Sequence, residues 1–295
     1  MIIDFHTHCF PPKIASRAIE QLMTRSGMTR PYHNGGVESL LEVQHSAGVD
    51  YSVVLNIATN PRQQKSVNDF AISLLEVDGI IPFGSVHPDS PDAIPELERI
   101  KASGIKGVKF HPDYQGFFVD EERMLPLYEK IGELGLITVF HCGYDIGYPE
   151  TVHCPPERLS KALDSFGGAP VVAAHFGGML AWRETEEFLC GKNVYLDTAI
   201  CCGTLNPQVA ARIIKKHGAD KILLGSDCPW STPANEIGLV HCMGLIDEEE
   251  KAVLGENARK LLGLSLFSQL VKGHTVGGKK FLNENIRFGH FQLGD

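Results

Sequence analysis

The chain has 295 residues, 43% hydrophobic and 21% charged, the make-up of a folded globular protein rather than a disordered one. Its 36 acidic residues outnumber 27 Lys and Arg, a formal charge of −9, and the average field repels nucleic acid and anionic membrane surfaces. Polyanion binding is therefore excluded as the main role.

In chain order, short β-branched and apolar runs recur: MIIDFH at the start, YSVVLNIA from 51, IIPFGSV from 80, GVKF from 107, LITVFH from 136, PVVAAH from 170, NVYLD from 193 and KILLGSD from 221. Between them lie stretches with helical periodicity, at 63–77, 92–104, 122–135 and 206–218, several running into a Gly at the expected C-cap position. Eight strand–helix units over some 260 residues imply right-handed βαβ crossovers and a parallel sheet covered on both faces. The fold class is α/β, and the expected architecture is a (β/α)8 TIM barrel. An open doubly wound sheet is disfavoured because no GxGxxG follows the first strand. The barrel is expected over 1–264, with a C-terminal extension over 265–295 where the alternation stops. Residues 10–34 are expected to fold over the barrel mouth.

The eight cysteines are scattered, with no CxxC, which suggests reduced thiols in a cytosolic protein. No apolar run approaches the roughly 18 residues of a membrane span, and no basic, then apolar, leader precedes MIIDF. The chain is read as cytoplasmic, with no nucleic-acid or membrane partner.

A barrel carries its chemistry where the strands end at the C-terminal face. Here strand one ends in His6 and His8, strand four carries Lys109 and His111, strand five ends in His141, strand six in His175 and strand eight in Asp227. One HxH or one GSD is ordinary loop chemistry, but random placement would not put such residues at the ends of strands one, five, six and eight. Strand alternation predicts that Asp4, His6 and His8 all point into the barrel, the two imidazoles about 6.6 Å apart along the strand. His6, His8, His141 and Asp227 would then give three nitrogens and one oxygen, a set for one divalent metal, zinc or a neighbouring ion, with a position left open. Asp4 is placed to orient a ligand histidine. Cys9, Cys142 and Cys228 each follow a proposed ligand and should face away as packing residues.

These residues resemble the amidohydrolase superfamily, in its amidohydrolase-related branch, which also holds enzymes like aminocarboxymuconate-semialdehyde decarboxylase. The matching pieces are IIDFHTH, GVKFHP, FHCG, AHFGG, NVYLDTA, GSDCPW and ENARKLLGL, in order up to about residue 264. The resemblance implies a (β/α)8 barrel, a catalytic metal on His6, His8, His141 and Asp227, usually zinc, and His175 acting beside it. It also implies a second metal should Lys109 be carboxylated; otherwise Lys109 binds substrate as a point charge or is structural.

The expected activity is hydrolysis of a C–N or C–O bond in a small amide, lactone or ester. Asp227 would take the water proton, and His175 would stabilise the oxyanion or orient the water. His111, Lys109 and Trp230 are the expected substrate contacts, Trp230 because it follows Asp227 by three residues. The competing reading is non-oxidative decarboxylation, with Arg183 as partner for a substrate carboxylate. A third is a non-catalytic barrel that binds metal or a partner. The Phe- and Gly-containing tail is compatible with docking in a homodimer.

Overall fold

The computed structural model describes residues 1–27 and 30–265, and the backbone of 275–276 and 279–280. Eight parallel strands follow the expected order: β1 (Ile3–Thr7), β2 (Tyr51–Leu55), β3 (Ile80–Phe83), β4 (Gly107–Phe110), β5 (Ile137–Phe140), β6 (Val171–Ala173), β7 (Tyr195–Asp197) and β8 (Ile222–Leu223). Continuous ladders join β1 to β3 and β4 to β8. The two seams are closed by single bridges and backbone hydrogen bonds. Gly84 pairs with Val108, and Lys109 N donates to Gly84 O at 2.8 Å. Thr7 pairs with Cys228, while Phe5 N donates to Leu224 O and Asp227 N to His6 O, both at 2.7 Å. The sheet is thus a closed barrel.

The helices that use the expected periodic stretches are α3 (Gln64–Ser73), α4 (Ala93–Ala102), α6 (Leu125–Leu134) and α9 (Pro207–His217). Others are α1 (Ala15–Ser26), α2 (Val37–Ser46), α5 (Pro112–Gln115), α7 (Pro156–Ala162), α8 (Trp182–Phe188), α10 (Pro233–His241), α11 (Asp247–Lys251) and α12 (Asn257–Leu261). Among the described residues no helix is long and apolar enough to cross a membrane.

Side-chain alternation divides the core in two layers. Ile3, Phe5, Val53, Leu55, Phe83, Ile137, Val139, Val172 and Leu223 form one buried cluster from six strands, which is the barrel interior. Ala258 and Leu262 of the α12 region pack against its lower end. The other face of the sheet packs under the helices, with Cys142 in one cluster and Cys9 and Cys228 in another. These cysteines do face away from the barrel axis, as expected.

One expectation is corrected. Asp4 pairs with Ser52 but Thr7 with Val54, so β1 spends three residues where β2 spends two. This bulge breaks the alternation. Ile3 and Phe5 are interior, Asp4 turns outward to accept from Gln44 Nε2 of α2 at 2.9 Å and from Ser226, and the extra residue re-aims His6 inward. Asp4 therefore fastens β1 to the loop after β8 and orients no histidine ring. The expected extension 265–295 lies outside the described residues, apart from Ser265 and an antiparallel pair, Thr275–Val276 with Lys279–Lys280.

Gly107 shows how tight the closure is. A Cβ there would meet the Phe83 ring and lie 2.5 Å from Ile137 O. Gly107→Ala should therefore destabilise the fold by about 3 kcal/mol, the upper range for forced overpacking, measured as a drop in urea midpoint at unchanged slope.

Candidate metal centre

His6, His8 and Asp227 meet at the C-terminal mouth, each offering one ligand atom within 4.8 Å of the others. Asp227 Oδ1 lies 3.4 Å from His6 Nε2 and 3.1 Å from His8 Nε2. Donor atoms bonded at about 2.1 Å to one tetrahedral ion lie about 3.4 Å apart, so the spacing is that of a coordination shell.

The hydrogen bonds behind the rings say what these atoms are. His8 Nδ1 contacts Leu55 O at 2.9 Å; a carbonyl only accepts, so Nδ1 carries the proton and, in the neutral ring, Nε2 carries a lone pair. His6 Nδ1 donates to Asp197 Oδ2 at 2.8 Å, which leaves its Nε2 in the same state. Burial, then the nearby Lys109 charge, hold the His6 pKa well below its ordinary value, so the ring is neutral. Two lone pairs and a carboxylate oxygen thus face one another with no proton between them. That arrangement is repulsive unless a cation sits at its centre, and the donor set of two imidazoles and a carboxylate suits a borderline divalent ion. The residues fit a metal.

Asp227 is buried, with Oδ1 toward the two imidazoles. Its backbone is in the left-handed region at φ 61°, as are His175 at 58° and Phe176 at 57°. Such conformations cost about 1–3 kcal/mol each and are held here by fixed partners. Asp227 N donates to His6 O, His175 N to Asp197 Oδ1 at 2.9 Å, and Phe176 N to Asp197 O at 2.6 Å. Asp197, at the end of β7, therefore ties the His6 ring and the His175 backbone together. It was assigned no role from sequence, although NVYLD puts it at a strand end like the residues that were.

His141 is not in the first group. Its Nδ1 lies 2.9 Å from His175 Nε2, and its Nε2 is buried without a hydrogen-bond partner. His175 Nδ1 donates to Ala199 O at 3.0 Å, so the neutral ring presents Nε2 as acceptor and His141 Nδ1 as donor. The His175 ring centroid stands 5.3 Å from that of His6. His141 instead groups with His111 and Asp145.

Lys109 is fully buried with Nζ 3.5 Å from His6 Nε2, and burial lowers its pKa. Trp230 follows the metal loop, its N donating to Asp227 O at 2.8 Å, and Trp182 Nε1 donates to His175 O at 3.2 Å. Arg183 is exposed on α8 and makes no hydrogen bond or ion pair among the described residues. The cation that does reach the mouth is Arg25 of α1. Its guanidinium lies 3.6 Å over the Tyr148 ring and 5.8 Å from that of Tyr114, whose ring stacks on His111 at 3.8 Å. The segment 10–34 thus does reach the mouth.

A family model described as "Amidohydrolase" matches residues 3–264. No curated protein matches the chain. Among solved structures, an uncharacterised TIM-barrel protein from Bordetella bronchiseptica is 20% identical, with 89% of this chain and 98% of that one covered at a TM-score of 0.69. The 5-carboxyvanillate decarboxylase of Sphingomonas paucimobilis is 14% identical, covering 90% and 99%, at 0.65. A dihydroxybenzoic acid decarboxylase from Polaromonas, with bound manganese and the inhibitor 2-nitroresorcinol, is 16% identical, covering 89% and 97%, at 0.64.

Two outcomes follow from these contacts. Asp197→Asn weakens the anchor of the His6 ring and should lower divalent-metal affinity about 10–100-fold with the fold retained, read by titration of apo protein. Glu236 of α10 is fully buried, accepting from Ser231 Oγ and Cys202 N, and burial pushes its carboxyl up to about 8. The folded chain keeps a proton there that the unfolded chain releases above 4.5, so this group's contribution to stability falls as pH rises from 4.5 towards 8. Glu236→Gln should flatten that slope, and an unchanged slope in urea melts would reassign the buried proton.

Proposed function

We propose that this chain, which belongs to the amidohydrolase family, is a metal-dependent hydrolase that cleaves a C–N or C–O bond of a small amide, lactone or ester. The observation that carries the reading is the convergence of His6 Nε2, His8 Nε2 and Asp227 Oδ1 at the mouth of the barrel. His6, His8 and Asp227 would hold the ion, zinc or manganese, three of the four ligands expected from the sequence. An ion held there polarises a substrate carbonyl and lowers the pKa of a coordinated water to about 7.

The chain's own residues supply the rest. Asp227 accepts the proton of the attacking water and returns it to the leaving atom as the C–N or C–O bond breaks. His175 is fixed by Ala199 O behind it. His141 donates to His175 Nε2 and sets its direction. Lys109 places a cationic group beside His6, close to where an oxyanion develops.

A second reading is non-oxidative decarboxylation of an aromatic acid. It is favoured by Arg25 lying on the Tyr148 and Tyr114 rings, a guanidinium beside aromatic faces that suits an aryl carboxylate. The decarboxylases among the similar structures agree with it.

A panel in H2(18)O separates the two: label in the carboxyl product supports hydrolysis, whereas CO2 release with no label in the remaining organic product supports decarboxylation. Asp227→Asn should lower kcat by about 10³-fold on whichever substrate responds, within the range for losing a positioned base. Full activity in that variant would remove Asp227 from proton transfer.

A further inference from the structure

We propose that Cys142 and Cys154 form a reversible disulfide that locks the loop between them, residues 143–153, as one wall of the barrel mouth. The modification is independent of which ion or substrate the barrel holds. The reduced thiols expected from the sequence are one half of this couple.

Cys142 follows β5 and Cys154 precedes α7, 12 positions on, yet their Sγ atoms lie 3.4 Å apart. Cys142 Sγ donates to Phe140 O at 3.6 Å, which leaves Cys154 as the donor in the contact between the sulfurs. A disulfide bond is about 2.0 Å long, so from 3.4 Å the two sulfurs need to approach by about 1.4 Å.

The backbone already holds both ends of the loop together. Gly143 N donates to Cys154 O at 3.0 Å, joining one end directly to the other. Met179 N donates to Cys142 O at 2.9 Å and Tyr144 N to Met179 O at 3.0 Å, so the Cys142 end is also tied to the loop after β6. A Cβ at Gly143 would lie 2.2 Å from Met179 N, and the φ of Gly143 is 83°, so this close approach requires glycine. With both ends held, side-chain rotation is the motion left to bring the sulfurs together.

The loop so closed carries Asp145, whose Oδ2 lies 3.4 Å from His111 Nε2, and Tyr148, whose ring lies under Arg25 of α1. Arg25 Nε also donates to Gly147 O at 3.3 Å. One covalent bond at the base therefore acts on the loop and on α1 together. Both cysteines are fully buried, and burial raises the Cys154 thiol pKa, so the closed pair is inert and exchange runs when the loop opens. The oxidant is a small disulfide such as oxidised glutathione. The Cys154 thiolate attacks one of its sulfurs, releasing one glutathione thiolate and leaving a mixed disulfide. Cys142 Sγ then attacks Cys154 Sγ and releases the second glutathione. The two protons lost by the cysteines pass to the two released thiolates, and two protein thiols are oxidised as one small disulfide is reduced.

Residues 131–158 form one tryptic peptide that holds these two cysteines and no other. The test is the mass of that peptide after the folded chain is equilibrated with oxidised glutathione and its remaining thiols are alkylated in denaturant. The peptide should be unalkylated and two hydrogens lighter than its reduced form, and dithiothreitol should return it to two alkylatable cysteines. The oxidised chain should be cut more slowly by glutamyl endopeptidase after the exposed Glu150, and should unfold about 5 °C above the reduced chain. Cys154→Ser should lose all three effects, and Cys142→Ser repeats the comparison should that variant fail to fold. Two alkylated cysteines at saturating oxidant, or glutathione retained on one of them, would overturn the disulfide. A disulfide that leaves cleavage and midpoint unchanged, or shifts that Cys154→Ser retains, would overturn the lock.

Discussion

Everything at the mouth of this barrel depends on which nitrogen of each imidazole carries the proton. Leu55 O fixes the proton of His8 on Nδ1, Asp197 that of His6, and Ala199 O that of His175. Each anchor is a backbone carbonyl or buried carboxylate that can only accept. The opposite edges of His6 and His8 are left facing Asp227. A few hydrogen bonds about 2.8–3.0 Å long at the back of the rings thereby create a demand for positive charge at the front.

The barrel makes that arrangement possible and bears its strain. A closed parallel sheet fixes the ends of eight strands relative to one another, so residues 6, 197 and 227 are held in contact although they are far apart in sequence. The bulge in β1 turns His6 inward, and left-handed backbone at His175 and Asp227 turns the chain just beyond β6 and β8. Regular structure would have aimed these side chains elsewhere. Their cost is offset by contacts such as Asp227 N to His6 O, which also close the β8–β1 seam. The functional geometry and the closure of the fold use the same bonds.

Much of this was legible in the sequence because periodicity is a strong signal. The eight apolar runs and the helical stretches between them each became the element expected, and the strand-end rule pointed to His6, His8, His141, His175 and Asp227, of which His6, His8 and Asp227 meet in one group. What escaped it depended on departures from regularity. A bulge cannot be read from IIDFHTH, so Asp4 was placed inside the barrel when it faces α2. Asp197 was within reach of the same rule but reads as an ordinary end of NVYLD. Arg25 belongs to a helix whose position over the mouth no local pattern specifies, and Arg183, chosen for its closeness in sequence to AHFGG, lies exposed on α8. The outward edge of His141, toward Asp113 and Asp145, depends on a tautomer and was invisible in principle.

The most direct measurement is anomalous diffraction at the metal edge from crystals grown with Mn2+ or Zn2+. The account predicts a strong peak bounded by His6 Nε2, His8 Nε2 and Asp227 Oδ1, at bonding distance of about 2.0–2.2 Å from each. Well-ordered rings in that geometry around a position with no anomalous signal, under saturating metal, would contradict it.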